Sequence, residues 1–510
     1  MTTGTQVDTL EAKGLIRLAT VQPEIEYLFR HALVQDAAYG SLLKQERRGL
    51  HAQVGEALED LYPDRREELA AVLAMHFEQA GETDKAIDYH VAAGNYGLKR
   101  NAIREAHAAF EHAATLLATE GVAAVDDPAI RRRAIEIRLG RVEAGFSFLP
   151  SEEILKELEE LVVEVDTLGD DQVAAKLHMM IALGRLQMGE DPASPPVRRS
   201  LDRMREIGDR IGDPSLSALP LALIGMNNVF AGSVRDGVAQ LSEALPQIGD
   251  GPGSIAMAFA RGALGVGLGI LGDFDAAMAA AQEATEIAKK GDLIARLDAM
   301  IMESMVRSLK GDLEGAMPLA RECVDIAEGT GASACVMASS WVLGDGFHRQ
   351  GRFAEARDVL ARGAEVSEVV DRKVWRPTLQ AWLTTSIAAL DDSAADFEEA
   401  LASTRAINNR IGEANILVKR AEVAVRRGNL DAAIADYQTS TGILESEGAR
   451  PNLARALRAW GEALRADGRI DDAEPLLRRA LALLDEMGID REAAAVRTAL
   501  SLGATTLAFD

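Results

Sequence analysis

Eight histidines, two cysteines and 80 acidic residues are the side chains in this 510-residue sequence with the means for acid–base, nucleophilic or metal chemistry. Their spacing does not assemble them. His76, His90, His107 and His112 fall together in one stretch, but His107 and His112 are five apart, a poor spacing for one helix face. No His-Glu-x-x-His, no Gly-x-Ser-x-Gly elbow and no Gly-x-x-x-x-Gly-Lys-Ser/Thr phosphate loop occurs. Cys323 and Cys335 are too few for a metal cluster or a disulfide framework and fit a reducing cytoplasm. The carboxylates sit mostly on periodic polar faces. The expectation is a chain that is not an enzyme and has neither metal nor cofactor.

What remains is a set of residues suited to gripping a partner. Trp341, Asp345 and His348 recur at helical spacing, and so do Arg455, Arg458, Glu462 and Arg465. An aromatic anchor with a charged fork gives an interface both energy and direction. The second set is a basic and polar stripe in an acidic protein, suited to holding an acidic peptide or C-terminus. The same arginines have a second reading, as partners of the carboxylates around them.

The elements that must position these residues are helices. Hydrophobic residues make up 48% of the chain and aromatics only 4%, with alanine and leucine supplying most of the rest. Alanine favours helices, whereas strands prefer β-branched and aromatic side chains. From about residue 70 a pattern repeats: a Gly, a turn, a small residue about five positions on, then an amphipathic helix. It begins at Gly272, Gly311, Gly351, Gly428 and Gly468, weakly at Gly232, and in degenerate form near Asp391, with a period close to 40 residues. Each Gly ends a first helix in the left-handed conformation, and an Asp or Asn near the turn caps the second. Ala277, Ala316, Ala356, Ala433 and Ala473 let the paired helices approach. Upstream, His76–Gly94 and Asn101–Ala118 read as further units, and Glu190–Pro196 as a loop joining two helices. Ile255–Gly272 is apolar enough to raise the question of a membrane span; Arg261 interrupts it, and it lies in phase with the repeat.

This pattern resembles the tetratricopeptide repeat, in a longer-period form found in bacterial regulators. The resemblance implies an all-α, right-handed superhelical solenoid over residues 65–510, with first helices lining a concave face. That face, with Trp341, Asp345, His348, Arg455, Arg458, Glu462 and Arg465, is the expected site for a protein or peptide.

Residues 1–64 read differently. "IRLAT" and "IEYLF" are strand-like runs separated by "VQPE", after a helix closed by Gly14 and before two helices broken near Gly40. That order is the back half of a winged helix. Phe29, His31, Ala32, Leu33, Asp36, Tyr39, Arg47, Arg48, Leu50 and His51 resemble the winged-helix end of STAND-type signalling ATPases, which join a cyclase or DNA-binding module, an AAA-like ATPase and a tetratricopeptide array. The resemblance implies that His31 stands where such proteins sense nucleotide phosphates. With no phosphate loop in the sequence, His31 is a vestigial sensor, and a His at this place also simply hydrogen-bonds a helix start. Tyr39 is expected in the core and His51 at a helix interface.

The resulting expectation is a cytoplasmic, non-enzymatic interaction and sensor module of a STAND-type regulator. The net charge of -25 disfavours nucleic acid as a partner. A DNA-binding regulator, or a regulatory subunit of a separately encoded nucleotide cyclase or ATPase, are the alternatives.

Overall fold

The computed structural model describes residues 3–20, 26–100, 102–119, 127–146, 148–248, 254–289, 293–370, 375–391 and 396–504. The "VQPE" linker, Asn101 and most of the turn after Asp391 lie outside them. The chain divides into two compact units: residues 1–96 with 108–125, and residues 97–107 with 126–510. Residue 64 lies within the first of these units.

The first unit contains α1 (Thr3–Ala12), β1 (Ile16–Thr20), β2 (Glu26–Phe29), α2 (Ala32–Ser41), α3 (Lys44–Leu61) and α4 (Ala70–Ala80), with most of α5 (Thr83–Arg100) and α6 (Ile103–Thr119). Gly14 follows α1 at φ +70°. The strands pair antiparallel, Ile16 opposite Phe29 and Leu18 opposite Tyr27. The expected break at Gly40 falls two residues later, at Leu42 and Leu43, where the backbone is extended. Gly40 itself stays helical because α2 makes its last turn over it. One core cluster of the unit is Leu73, Phe77 and Ala86, flanked by Leu58, Tyr89 and Leu116, and Ala70, Ala74, Ile87, Phe110, Ala113 and Leu117 are buried as well. Gly55 lets the Phe77 ring approach so closely that a Cβ would sit 2.9 Å from it. α2 buries none of its residues. Leu33, Leu43 and Leu61 are exposed at 81%, 70% and 70%.

The second unit contains α7 (Pro128–Gly145), α8 (Ser151–Leu168), α9 (Asp171–Gln187), α10 (Pro195–Ile211), α11 (Pro214–Ala231), α12 (Val234–Ala244), α13 (Ser254–Leu271), α14 (Phe274–Ala288), α15 (Leu293–Lys310), α16 (Leu313–Thr330), α17 (Ser333–Arg349), α18 (Phe353–Val369), α19 (Arg376–Leu390), α20 (Glu398–Ala406), α21 (Arg410–Arg426), α22 (Leu430–Glu447), α23 (Arg450–Ala466), α24 (Ile470–Glu486) and α25 (Asp490–Ala504). The fold is all-α apart from β1 and β2 among the described residues: a tetratricopeptide-like solenoid of helix pairs.

The repeat register holds. Gly272, Gly311, Gly351, Gly428 and Gly468 each follow a first helix with φ between +72° and +89°. Asp273, Asp312 and Asn429 cap the helices that follow, each side chain accepting a backbone N–H. Ala277, Ala316, Ala356, Ala433 and Ala473 are fully or almost fully buried, which permits close approach within each pair. α11 is long and apolar enough to cross a membrane by length and composition. Its side chains pack against α10, α12 and α13.

One feature of the second unit goes beyond an open stack of pairs. α11 touches α21, and α13 touches α23. The Asn409 amide donates to the Phe230 carbonyl at 3.1 Å, and the Ser151 hydroxyl to the Val370 carbonyl at 3.3 Å. Successive turns of the coil therefore lie on one another, and the inner faces of the first helices meet.

Candidate functional site

α17, α21 and α23 are first helices, and their inner stripes, with α25, build a polar cluster in the second unit. α17 contributes Trp341, Asp345, His348 and Arg349. α21 contributes Lys419 and Glu422, α23 contributes Arg455 and Arg458, and α25 contributes Glu492.

Asp345 accepts a hydrogen bond from Trp382 Nε1 at 3.0 Å and faces Arg349 at 3.6 Å. Burial opposes its charge, but Arg349, Lys419 and the Trp382 N–H outweigh burial and hold its carboxyl below the usual aspartate value. His348 Nε2 lies 3.1 Å from Glu422, which also receives Lys419 at 3.2 Å. Burial would raise the Glu422 pKa; Lys419 and His348 reverse that and take it down to about 2. Burial first and Lys419 second push the His348 imidazole pKa down, so the ring is neutral at pH 7. An ionised Glu422 accepts, so His348 donates from Nε2 and its Nδ1 carries the lone pair. That Nδ1 and Trp341 Nε1 have no hydrogen-bond partner among the described residues.

Glu492 is the hub at the other end. Arg455 grips it through Nε and Nη2, at 3.0 and 2.8 Å, in the bidentate geometry that suits guanidinium and carboxylate. Arg349 donates to the same carboxylate, and Arg458 stands 3.9 Å away. Against the burial that would raise it, Arg455, Arg349 and Arg458 bring the Glu492 pKa to about 2. Arg455 also donates to the Leu309 carbonyl at 2.6 Å, at the end of α15.

The structure thus brings Asp345, His348, Arg455 and Arg458 into one network. Glu462 lies beyond it on the exposed side of Arg458, to which it pairs at 3.3 Å. Arg465 is half-buried one turn further on. Trp341, the expected exposed anchor, is partly buried instead. Its ring packs against Trp375 and Trp382 at 6.5 and 6.3 Å, because α19, the first helix of the next pair, lies beside α17. The readings of the arginines as partners of nearby carboxylates and as a grip share one geometry, since the fork is filled from within the chain.

Sequence reasoning missed Arg349, Lys419, Glu422 and Glu492. Glu422 carried a usable signal. It stands six residues before Gly428, as Asp345 does before Gly351 and Glu462 before Gly468. Glu492 carried a weaker one: it follows the last such glycine, but it lies 37 residues from Arg455, the one-repeat separation that also joins Asp345 to Trp382.

In the first unit, His31 begins α2 with extended backbone, and its side chain makes no hydrogen bond to the helix start. Its carbonyl, not its ring, accepts from Val34 and Gln35. Tyr39 is 42% exposed, not in the core; Arg47 lies over its ring and His51 against its edge. Its hydroxyl lies 3.0 Å from His51 Nε2, and His51 Nδ1 lies 3.0 Å from His76 Nδ1, so His51 does bridge α3 and α4. Cys323 and Cys335 are buried. Among the described residues no three His, Cys, Asp or Glu are grouped to hold a metal ion.

Comparison with known proteins finds a family match over part of the second unit. Residues 412–486 match the tetratricopeptide repeat family. An uncharacterized protein of Rhizobium meliloti (strain 1021) is 32% identical over 114 residues, 21% of this chain and 11% of the relative. The match therefore spans about a tenth of that relative's length. A Rap protein complexed with competence and sporulation factor aligns with a TM-score of 0.48 at 13% identity, covering 69% of this chain and 98% of that one. The APC/C hetero-tetramer Cut9–Hcn1 aligns with a TM-score of 0.48 at 14% identity, covering 90% and 88%.

Proposed function

We propose that this chain is a non-enzymatic protein-interaction and sensor module of a STAND-type signalling regulator, working in the cytoplasm. Its ligand is a protein, a peptide or a small inducer, held on the inner face of the helix-pair array. The observation that carries this reading is the polar cluster of α17, α21, α23 and α25. Helix pairs bury their mutual faces with alanine and leucine and have no need of charge there. Seven ionised side chains on inner stripes are costly to desolvate, and apolar residues of similar size would stabilise a purely structural contact as well or better. Charge kept at such a place suits recognition, where it sets orientation and rejects wrong partners. The strand pair followed by α2, with the motif around His31, supports the STAND context, in which the nucleotide switch lies on a separate domain.

The test is selection from a displayed peptide library on the immobilised full chain, followed by titration of the winners. Replacing Arg455, Arg458 and Arg465 with Ala is expected to weaken an acidic ligand at least tenfold and to flatten its salt dependence. Selected ligands that bind the altered chain equally well would remove the inner face from the reading. Selection of no ligand would remove the reading itself.

A further inference from the structure

We propose that Arg349, Arg455 and Arg458 form a carboxylate-binding site that the chain keeps filled with its own Glu492. A partner enters by exchanging its carboxylate for that one. The inference rests on the interaction-module reading and adds what the ligand must present and what it must displace.

Convergence is the first observation. Three guanidinium groups from two helices meet one carboxylate from a third, and Arg349 is 143 residues from Glu492 in sequence. This is not the pairing of neighbours along one helix. Arg455 holds Glu492 with the two-pronged geometry used to bind free carboxylates.

Charge balance is the second. With Glu492 withdrawn, Arg349, Lys419, Arg455 and Arg458 face, among the described residues, the carboxylates of Asp345 and Glu422, with Glu462 at the exposed rim. An uncompensated buried cation is costly. The fork therefore demands an anion whenever α25 moves.

The third observation is how α25 is attached. It is the last described helix and packs against α24. Its fully buried apolar seat is Ile489, Ala493 and Val496, two of them small or at the helix start. Helices with thin apolar seats open at low cost compared with the deeply buried helices of an array. On the stripe of α17 that also carries Arg349, Trp341 Nε1 is a donor and His348 Nδ1 an acceptor without partners among the described residues. The backbone adjoining an incoming carboxylate has the complementary groups.

Three acetylated pentapeptides serve as probes of the full chain: one with a free C-terminal carboxylate and no acidic side chain, one amidated with a single glutamate, and one amidated and neutral. Binding is read from the fluorescence of the Trp341, Trp375 and Trp382 group and from hydrogen exchange of Asp490–Ala504. The expected result is at least tenfold tighter binding of one carboxylate peptide to Glu492→Gln than to the unaltered chain. The neutral peptide is expected not to bind, and adding Arg455→Ala should abolish the gain. In the unaltered chain, peptide should speed exchange in α25. Which of the two carboxylate peptides gains more identifies a C-terminus or an acidic side chain as the source. If Glu492→Gln loses helical circular dichroism, Glu492→Asp retracts the charge without removing it, and about a threefold gain is expected. No gain in the folded variant, or equal binding of the neutral peptide, overturns the exchange. A library-selected ligand indifferent to Glu492 overturns it too, while leaving the interaction-module reading intact.

Discussion

At the scale of single residues, the polar cluster makes stability depend on acidity in a definite direction. Glu422 and Glu492 have folded pKa values near about 2, below the usual 4.5. A carboxylate whose value is depressed on folding stabilises fully above its unfolded value and loses that contribution as pH falls toward the folded one. For Glu492 the difference corresponds to about 3 kcal/mol. His348 adds to the same slope, because the unfolded chain takes up a proton below about 6.5 that the folded ring resists. The melting temperature of the second unit should therefore fall steadily as pH drops from about 6.5 toward 2. Differential scanning calorimetry across that range checks it. Glu422→Gln should make the curve shallower, and a pH-independent melting temperature in the unaltered chain would contradict the assignment.

At the scale of elements, turn glycines are equivalent in sequence but not in surroundings. Gly428 has φ +72° and nothing within 4 Å of an added Cβ. Gly232 has φ +98°, and an added Cβ would sit 2.7 Å from Asn409 Oδ1 and 3.1 Å from the Arg410 nitrogen. Gly428→Ala should cost about 1 kcal/mol of left-handed strain. Gly232→Ala should cost about 3 kcal/mol, because the backbone at the start of α21 cannot give way. Urea denaturation of the two variants compares them directly, and equal losses would mean the turns do not press on each other. This contrast also marks what was legible in the sequence. Helix ends, caps and buried alanines followed from local chemistry that recurs every 40 residues, so the register from Gly272 to Gly468 could be read. The inner stripe was legible to the same extent, and the offset from Gly351 that gives Asp345 also gives Glu422. The burial of Trp341 was not, since it depends on α19 lying beside α17. Nor was the meeting of Glu492 with Arg349, since no local pattern encodes how far one turn of a coil settles onto the next. The exposed Tyr39 shows the converse. Its aromatic character suggested a core, but the side chains against its ring are Arg47 and His51, which leave it partly in water.

At the scale of the molecule, the stacked turns alter how the second unit holds together. In an open array each repeat contacts only its neighbours, and damage stays local. Here Glu492 joins Arg349 and Arg455, Arg455 reaches the Leu309 carbonyl, and Gly311 backs onto Ile489 and Glu492. Ending the chain at Gly488 removes α25, and it should speed hydrogen exchange around residues 307–314 as well as in α24. Exchange confined to α24 would show that the turns are thermally independent. The same stacking sets a timetable for synthesis. The Ser151 hydroxyl meets a carbonyl 219 residues further along the chain, and the Asn409 amide one 179 residues earlier. A ribosome adds about 5–20 residues each second, so Ser151 waits roughly 10–40 s after its own translation for its partner to be made. During that interval α8 to α17 can form as ordinary nearest-neighbour pairs, but their inner stripes face water with arginine and carboxylate still apart. The coil closes last, from the end that leaves the ribosome last.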